Sequence, residues 1–103
     1  MGNLVLVYIT NPSEKEAKRI AKLLLRKRLI ACANIFPVKS MYWWKGRVND
    51  DREFVLIAKT LGNNFEKVKI EVEKTHPYEI PCIVKIPVSS NNKYFDWLVN
   101  STK

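Results

Sequence analysis

The sequence is poor in residues that staple, ligate or cradle. Its 103 residues include two cysteines, one histidine and three glycines. Cys32 and Cys82 form no C-x-x-C pair. Disulfide scaffolds carry more cysteines at closer spacing, so these read as two buried thiols in a reducing compartment. A structural zinc site takes four thiolate or imidazole ligands, more than one such chain supplies. Glycines at 2, 46 and 62 make no phosphate-binding loop. No serine or cysteine stands in a nucleophile motif, and His76 has no evident triad, so no enzyme is expected. Apolar runs stop at the six residues of Leu4–Ile9, far below the ~20 of a membrane-spanning helix, so no membrane partner is expected. The opening Met-Gly-Asn lacks the basic and apolar stretches of a signal peptide, which makes a cytoplasmic location the expectation.

What is present argues for one folded domain over residues 1–103. Apolar residues make up 47% and aromatics 11%, too many for a disordered tail. A chain of this length buries roughly two thirds of its unfolded surface. The net charge of +8 is lopsided: residues 1–49 hold ten Lys/Arg and two Glu, whereas residues 50–103 hold eight of each sign. Such a field attracts polyanions and speaks to partners, not to fold.

The segments alternate in type. Leu4–Ile9 has the length and composition of a central strand, and Thr10-Asn11-Pro12 breaks it. Ser13 with Glu16 forms a capping box. Ala17, Ile20, Ala21 and Leu24 then recur at helical spacing, with Lys15, Lys18, Lys22 and Arg26 opposite. Leu29–Trp44 reads as a strand in which Pro37 marks a bulge or an edge. Lys45-Gly46-Arg47 turns the chain, and Glu53–Thr60 returns. Phe65–Lys74 fits both periods; Asn63 and Asn64 as N-cap candidates favour a helix, which His76-Pro77 must end. Cys82–Val88 is a fourth strand, and Asn92–Asn100 a last helix half-burying Tyr94, Phe95, Trp97 and Leu98. The order β-α-β-β-α-β with an added C-terminal helix predicts an α+β, ferredoxin-like sandwich: a four-stranded antiparallel sheet with two helices on one face. The other face is left without helices.

Four features could carry chemistry. Alternation puts Tyr42 and Trp44 on one strand face and Trp43 on the other. They suit a base-stacking platform or a subunit interface, both of which use exposed aromatics. His76 beside Glu79 offers two ligands to a first-row divalent metal, copper first by affinity order, or it is a histidine held at a helix end. Lys59 ends an apolar run, to receive an anion, to pair with Glu79 or to lead out to solvent. The basic helix could meet phosphate or be solvated. Acylphosphatases share the topology and the basic charge, but their arginine-bearing anion loop has no counterpart in Thr10-Asn11-Pro12-Ser13.

Taken together, these fragments resemble the CutA family, the divalent-cation-tolerance proteins. The resemblance runs over residues 4–99: Thr10-Asn11-Pro12, the stretch Arg28–Ile35, Pro37, Ser40, Tyr42-Trp43-Trp44-Lys45-Gly46, Glu53 and Lys59-Thr60. It continues through His76-Pro77-Tyr78-Glu79, Pro81, Tyr94 and Trp97-Leu98. It implies a homotrimer with hairpin strands pairing between subunits, an architecture similar to the PII signalling proteins. It also implies binding of divalent cations, chiefly copper, with no obligatory cofactor and no established reaction. By position it implies a cluster of Lys59, His76, Tyr78 and Glu79 near a subunit cleft, with Tyr42 and Trp44 along the hairpin. Some members carry a cysteine where this chain has Ile9 and a second histidine where it has Thr75, which leaves His76 as the one soft donor of that set. Two other readings remain: a nucleic-acid module using the basic half with Trp43 and Trp44, and a trimeric scaffold that binds no ligand.

Overall fold

The computed structural model describes residues 3–103; Met1 and Gly2, on which the leader expectation and the domain's first boundary fall, lie outside the described residues. The elements are β1 (Leu4–Asn11), α1 (Glu14–Arg26), β2 (Cys32–Trp44), β3 (Arg47–Leu61), a 3-10 turn at Gly62–Asn64, α2 (Phe65–Thr75), β4 (Ile83–Pro87) and α3 (Asn92–Ser101). The strands form one antiparallel sheet in the order β2-β3-β1-β4. β1 and β2 run parallel with β3 between them, which is the split βαβ of the ferredoxin-like fold.

Side-chain parity decides what each face meets. Val5, Val7 and Ile9 of β1 stand beside Ala58 and Leu56 of β3, and all are buried under Ile20, Ala21 and Leu24 of α1 and Val68 and Val72 of α2. Burial of Val68 and Val72 with Ile70 half exposed shows the helical period prevailing over the alternating one in this segment. Ser13 caps α1 by accepting from the Glu16 backbone N–H at 3.1 Å. An ion pair between Lys27 and Glu71, 2.9 Å, ties α1 to α2.

Several details depart from the sequence expectation. β1 runs on to Asn11, because the Asn11 amide donates to the carbonyls of Ile9 (3.2 Å) and Phe54 (3.1 Å) and so extends the pairing. β3 starts at Arg47, not Glu53, since polar residues 49–52 pair across to β2 rather than burying a face. Leu29 and Ile30 are no strand; they close α1 and enter the core. Pro37 marks an edge without a bulge, for the β2–β3 register is unbroken from Cys32↔Lys59 to Trp44↔Arg47. Asn64 does not cap α2: its side chain donates instead to Thr60 Oγ1 at 3.2 Å, and Thr60 donates to the Leu29 carbonyl at 2.6 Å.

The second sheet face is not wholly bare. α3 covers one end of it, with Leu98 buried against Leu4 and Leu61 while Trp97 stays half exposed. Beyond α3, Phe36, Val84 and Ile86 remain open. The β2–β3 arm stretches the molecule to 44 × 24 × 21 Å, with a radius of gyration of 14.1 Å. A compact chain of this length would have about 13 Å.

α1 ends in a Schellman motif with an unusual occupant. The N–H groups of Arg28 and Leu29 reach the carbonyls of Leu25 (3.0 Å) and Leu24 (3.1 Å). Arg28 takes φ +59° where glycine is the usual residue. Arg28→Gly should therefore raise stability by about 1 kcal/mol, read as a higher guanidinium midpoint at unchanged slope.

Candidate functional site

Three chain segments converge at the end of the sheet away from α3. β1 brings Thr10, the β2–β3 arm brings Tyr42, Trp44 and Glu53, and residues 76–82 fold across from the end of α2. His76-Pro77 forces that crossing: His76 leaves the helix in extended conformation, φ −73° and ψ 139°. Arg19 of α1 steadies the exit by donating to the Thr75 carbonyl at 2.7 Å.

His76 is buried, and both of its ring nitrogens are engaged. Nδ1 lies 3.1 Å from the Tyr78 backbone nitrogen, which can only donate, so Nδ1 accepts. The proton therefore sits on Nε2 and is donated to the Thr10 carbonyl at 2.9 Å. Desolvation lowers the His76 pKa, and the Thr10 bond opposes that only in part. The neutral ring thus pins the crossing segment to β1.

Tyr78 follows, its ring tilted 58° to the imidazole at a centroid distance of 4.7 Å. Its hydroxyl donates to Glu53 Oε2 at 2.6 Å. Burial, then this bond, raises the phenol's pKa, so it stays a donor. Glu53 is only 7% exposed. Among the described residues no basic side chain pairs with it. Nearer the hairpin tip, Tyr42 donates its hydroxyl to Asp51, which pushes the phenol up to about 12.

Between the arm and the crossing segment lies a cleft of about 900 Å³. Tyr42, Trp44, Tyr78 and Glu79 line it, four of the residues singled out from the sequence. Trp43 also reaches it, because β2 is an edge strand and the cleft extends around its rim. His76 stands behind the wall rather than on it.

Lys59 is the exception. It shares the face of Glu53 but sits six residues along β3, about 20 Å away at strand rise. There it lies 5.6 Å from the Tyr94 ring centroid and forms no ion pair with Glu79. Within one chain it does not join the cluster.

The sequence reading passed over two cleft residues as site candidates. Glu53 shares a strand face with Val55 and Ile57, and a carboxylate in that company is the signal that marks it. Cys82 faces Thr10, and burial raises its thiol pKa, so it stays protonated. Among the described residues, no three His, Cys, Asp or Glu side chains gather closely enough to hold a metal ion.

Comparison with known proteins gives a consistent answer. Residues 5–101 match the family model described as CutA1 divalent ion tolerance protein. The divalent-cation tolerance protein CutA of Archaeoglobus fulgidus is 50% identical over 93 residues, 89% of this chain and 91% of that protein. The Thermus thermophilus protein of the same description is 46% identical over 98 residues, 93% and 95% of the two chains. A solved A. fulgidus structure, described as the periplasmic divalent cation tolerance protein CutA, superposes with a TM-score of 0.95 at 44% identity. It covers 97% of this chain and 99% of its own.

Two outcomes follow from the site's hydrogen bonds. Tyr78→Phe leaves a buried carboxylate without its donor and should cost about 1–3 kcal/mol in chemical denaturation. The second concerns acid. A histidine whose folded pKa is depressed gives full stability above its unfolded value, about 6.5, and loses it as pH falls toward the folded value. The guanidinium midpoint should fall between pH 7.5 and pH 5 by more in the parent than in His76→Gln. Equal falls would remove His76 from the acid response.

Proposed function

The chain belongs to the CutA1 divalent ion tolerance protein family, and from that premise we propose that it is a homotrimeric, non-catalytic binding protein that handles divalent cations at its subunit boundaries. The observation carrying this reading is the apolar surface left open by one chain. Met41 and Trp43 are 72% and 74% exposed on the projecting arm, and Phe36, Val84 and Ile86 are open on the sheet face. Large apolar side chains exposed on both the arm and the sheet face are what subunit contact covers. A trimer built through arm and face buries it and carries the cleft of each chain toward a neighbour.

Copper is the ion proposed, because imidazole ligation favours it by affinity order. His76 with Glu79 is the proposed donor pair. In the closed cleft the Nδ1 lone pair faces the Tyr78 N–H, so His76 serves a cation only after that bond opens. Among the described residues no third donor gathers with them, and in this reading a neighbouring subunit supplies it. Uptake in this reading belongs to the trimer and is weak in a separated chain. A PII-like signalling role is its proposed use: cation binding opens the crossing segment, and the cleft passes that state to a partner.

The proposed compartment is the cytoplasm, where the free thiols Cys32 and Cys82 persist. No helix among the described residues is long and apolar enough to cross a membrane.

Native mass spectrometry with and without one equivalent of Cu(II) per chain tests assembly and ligand together. The expected result is a trimer that takes up copper in the parent and loses it in His76→Ala. A trimer without copper removes the copper assignment and keeps the assembly; a monomer at micromolar concentration removes both.

A further inference from the structure

We infer that the cleft between the β2–β3 arm and residues 76–82 takes an organic ammonium ion, its charge against Glu53 and its alkyl groups against the rings of Tyr42, Trp44 and Tyr78. The inference rests on reading the cleft as the ligand site and adds the chemical class of the ligand.

Glu53 supplies the charge. It is more than nine-tenths buried, lines the cleft and receives one hydroxyl on Oε2. A buried carboxylate held by a neutral donor alone is costly and is relieved by a cation. Glu79 adds a second negative group, and among the described residues Lys39 is the one basic side chain on the lining.

The walls choose between kinds of cation. A hard divalent ion takes six to eight oxygen ligands, and no three candidate side chains gather among the described residues. Aromatic faces do not replace water around such an ion. They do stabilise an alkylated ammonium, which is weakly hydrated and is attracted to the negative face of a ring. The Trp44 ring already meets one cation: the Lys45 ammonium lies 5.9 Å from its centroid. At about 900 Å³, the cleft also falls within the range of small-molecule sites.

Isothermal titration of the full chain with tetramethylammonium chloride tests this, with sodium chloride at equal ionic strength and tert-butanol as controls. Sodium matches the charge without the alkyl groups; tert-butanol matches the bulk without the charge. The expected result is saturable tetramethylammonium binding at least about tenfold tighter than tert-butanol, with none for sodium. Glu53→Gln keeps an oxygen for the Tyr78 hydroxyl, so the fold persists, and it should weaken binding about tenfold. Trp44→Leu should weaken it severalfold. Equal affinity for the two bulky probes, or binding indifferent to Glu53→Gln, overturns the inference. Native mass spectra of the same samples keep the two readings apart. A trimer that binds copper and ignores tetramethylammonium overturns the ammonium site alone. Tetramethylammonium binding of the expected kind in a protein that takes no copper upholds the ammonium site and overturns the copper assignment.

Discussion

The unbroken register of β2 with β3 is the constraint from which the site follows. Thirteen consecutive pairs, from Cys32↔Lys59 to Trp44↔Arg47, run without a bulge. With no extra residue to shift the parity, Tyr42, Trp44, Asp51, Glu53 and Lys59 all project from one face. The two-residue turn holds this register, with Lys45 at φ +52° and Gly46 at φ +77°, the left-handed pair that a tight hairpin requires. A one-residue slip of β2 against β3 would send Tyr42 and Trp44 to the helix side and part them from Asp51 and Glu53. The arm thereby sets both the aromatic wall of the cleft and the position of its carboxylate.

The opposite wall depends on a neutral histidine. Residues 76–82 cross the end of the sheet with little secondary structure of their own, so their position comes from side-chain bonds. His76 links the Tyr78 amide to the Thr10 carbonyl, and Tyr78 then links to Glu53. Each bond uses a group whose protonation state burial favours: an uncharged imidazole and a protonated phenol. The residue with most to offer a metal is thus also a fastening of the cleft, and the two uses of Nδ1 exclude each other.

Much of this was legible in the sequence wherever burial wrote a period. Ala17, Ile20, Ala21 and Leu24 declared α1, and the Leu4–Ile9 run declared a central strand. The topology followed from the order of elements. Where cross-strand bonding or a particular backbone angle replaced burial, the signal failed. Residues 49–52 are polar and strand-forming because they pair on an arm remote from the core. Arg28 adopts a glycine conformation that composition does not announce, and Asn64 gave its amide to Thr60 instead of capping. The site divides the same way. Tyr42, Trp44, Tyr78 and Glu79 line one cleft, whereas the family pattern grouped Tyr78 and Glu79 with Lys59 and His76 and left Tyr42 and Trp44 along the hairpin. Lys59 stands apart within one chain because it lies six positions along β3 from Glu53, and the sign of Glu53 was a carboxylate sharing a strand face with Val55 and Ile57.

The bond from the Tyr78 amide to His76 has a consequence for time as well as for structure. It is a single hydrogen whose exchange with solvent requires the crossing segment to lift from the imidazole. That one amide is therefore a clock for the cleft. Its rate counts how often the wall parts in the resting molecule, before any ligand arrives, and so bounds how fast a ligand admitted only by that parting could be answered.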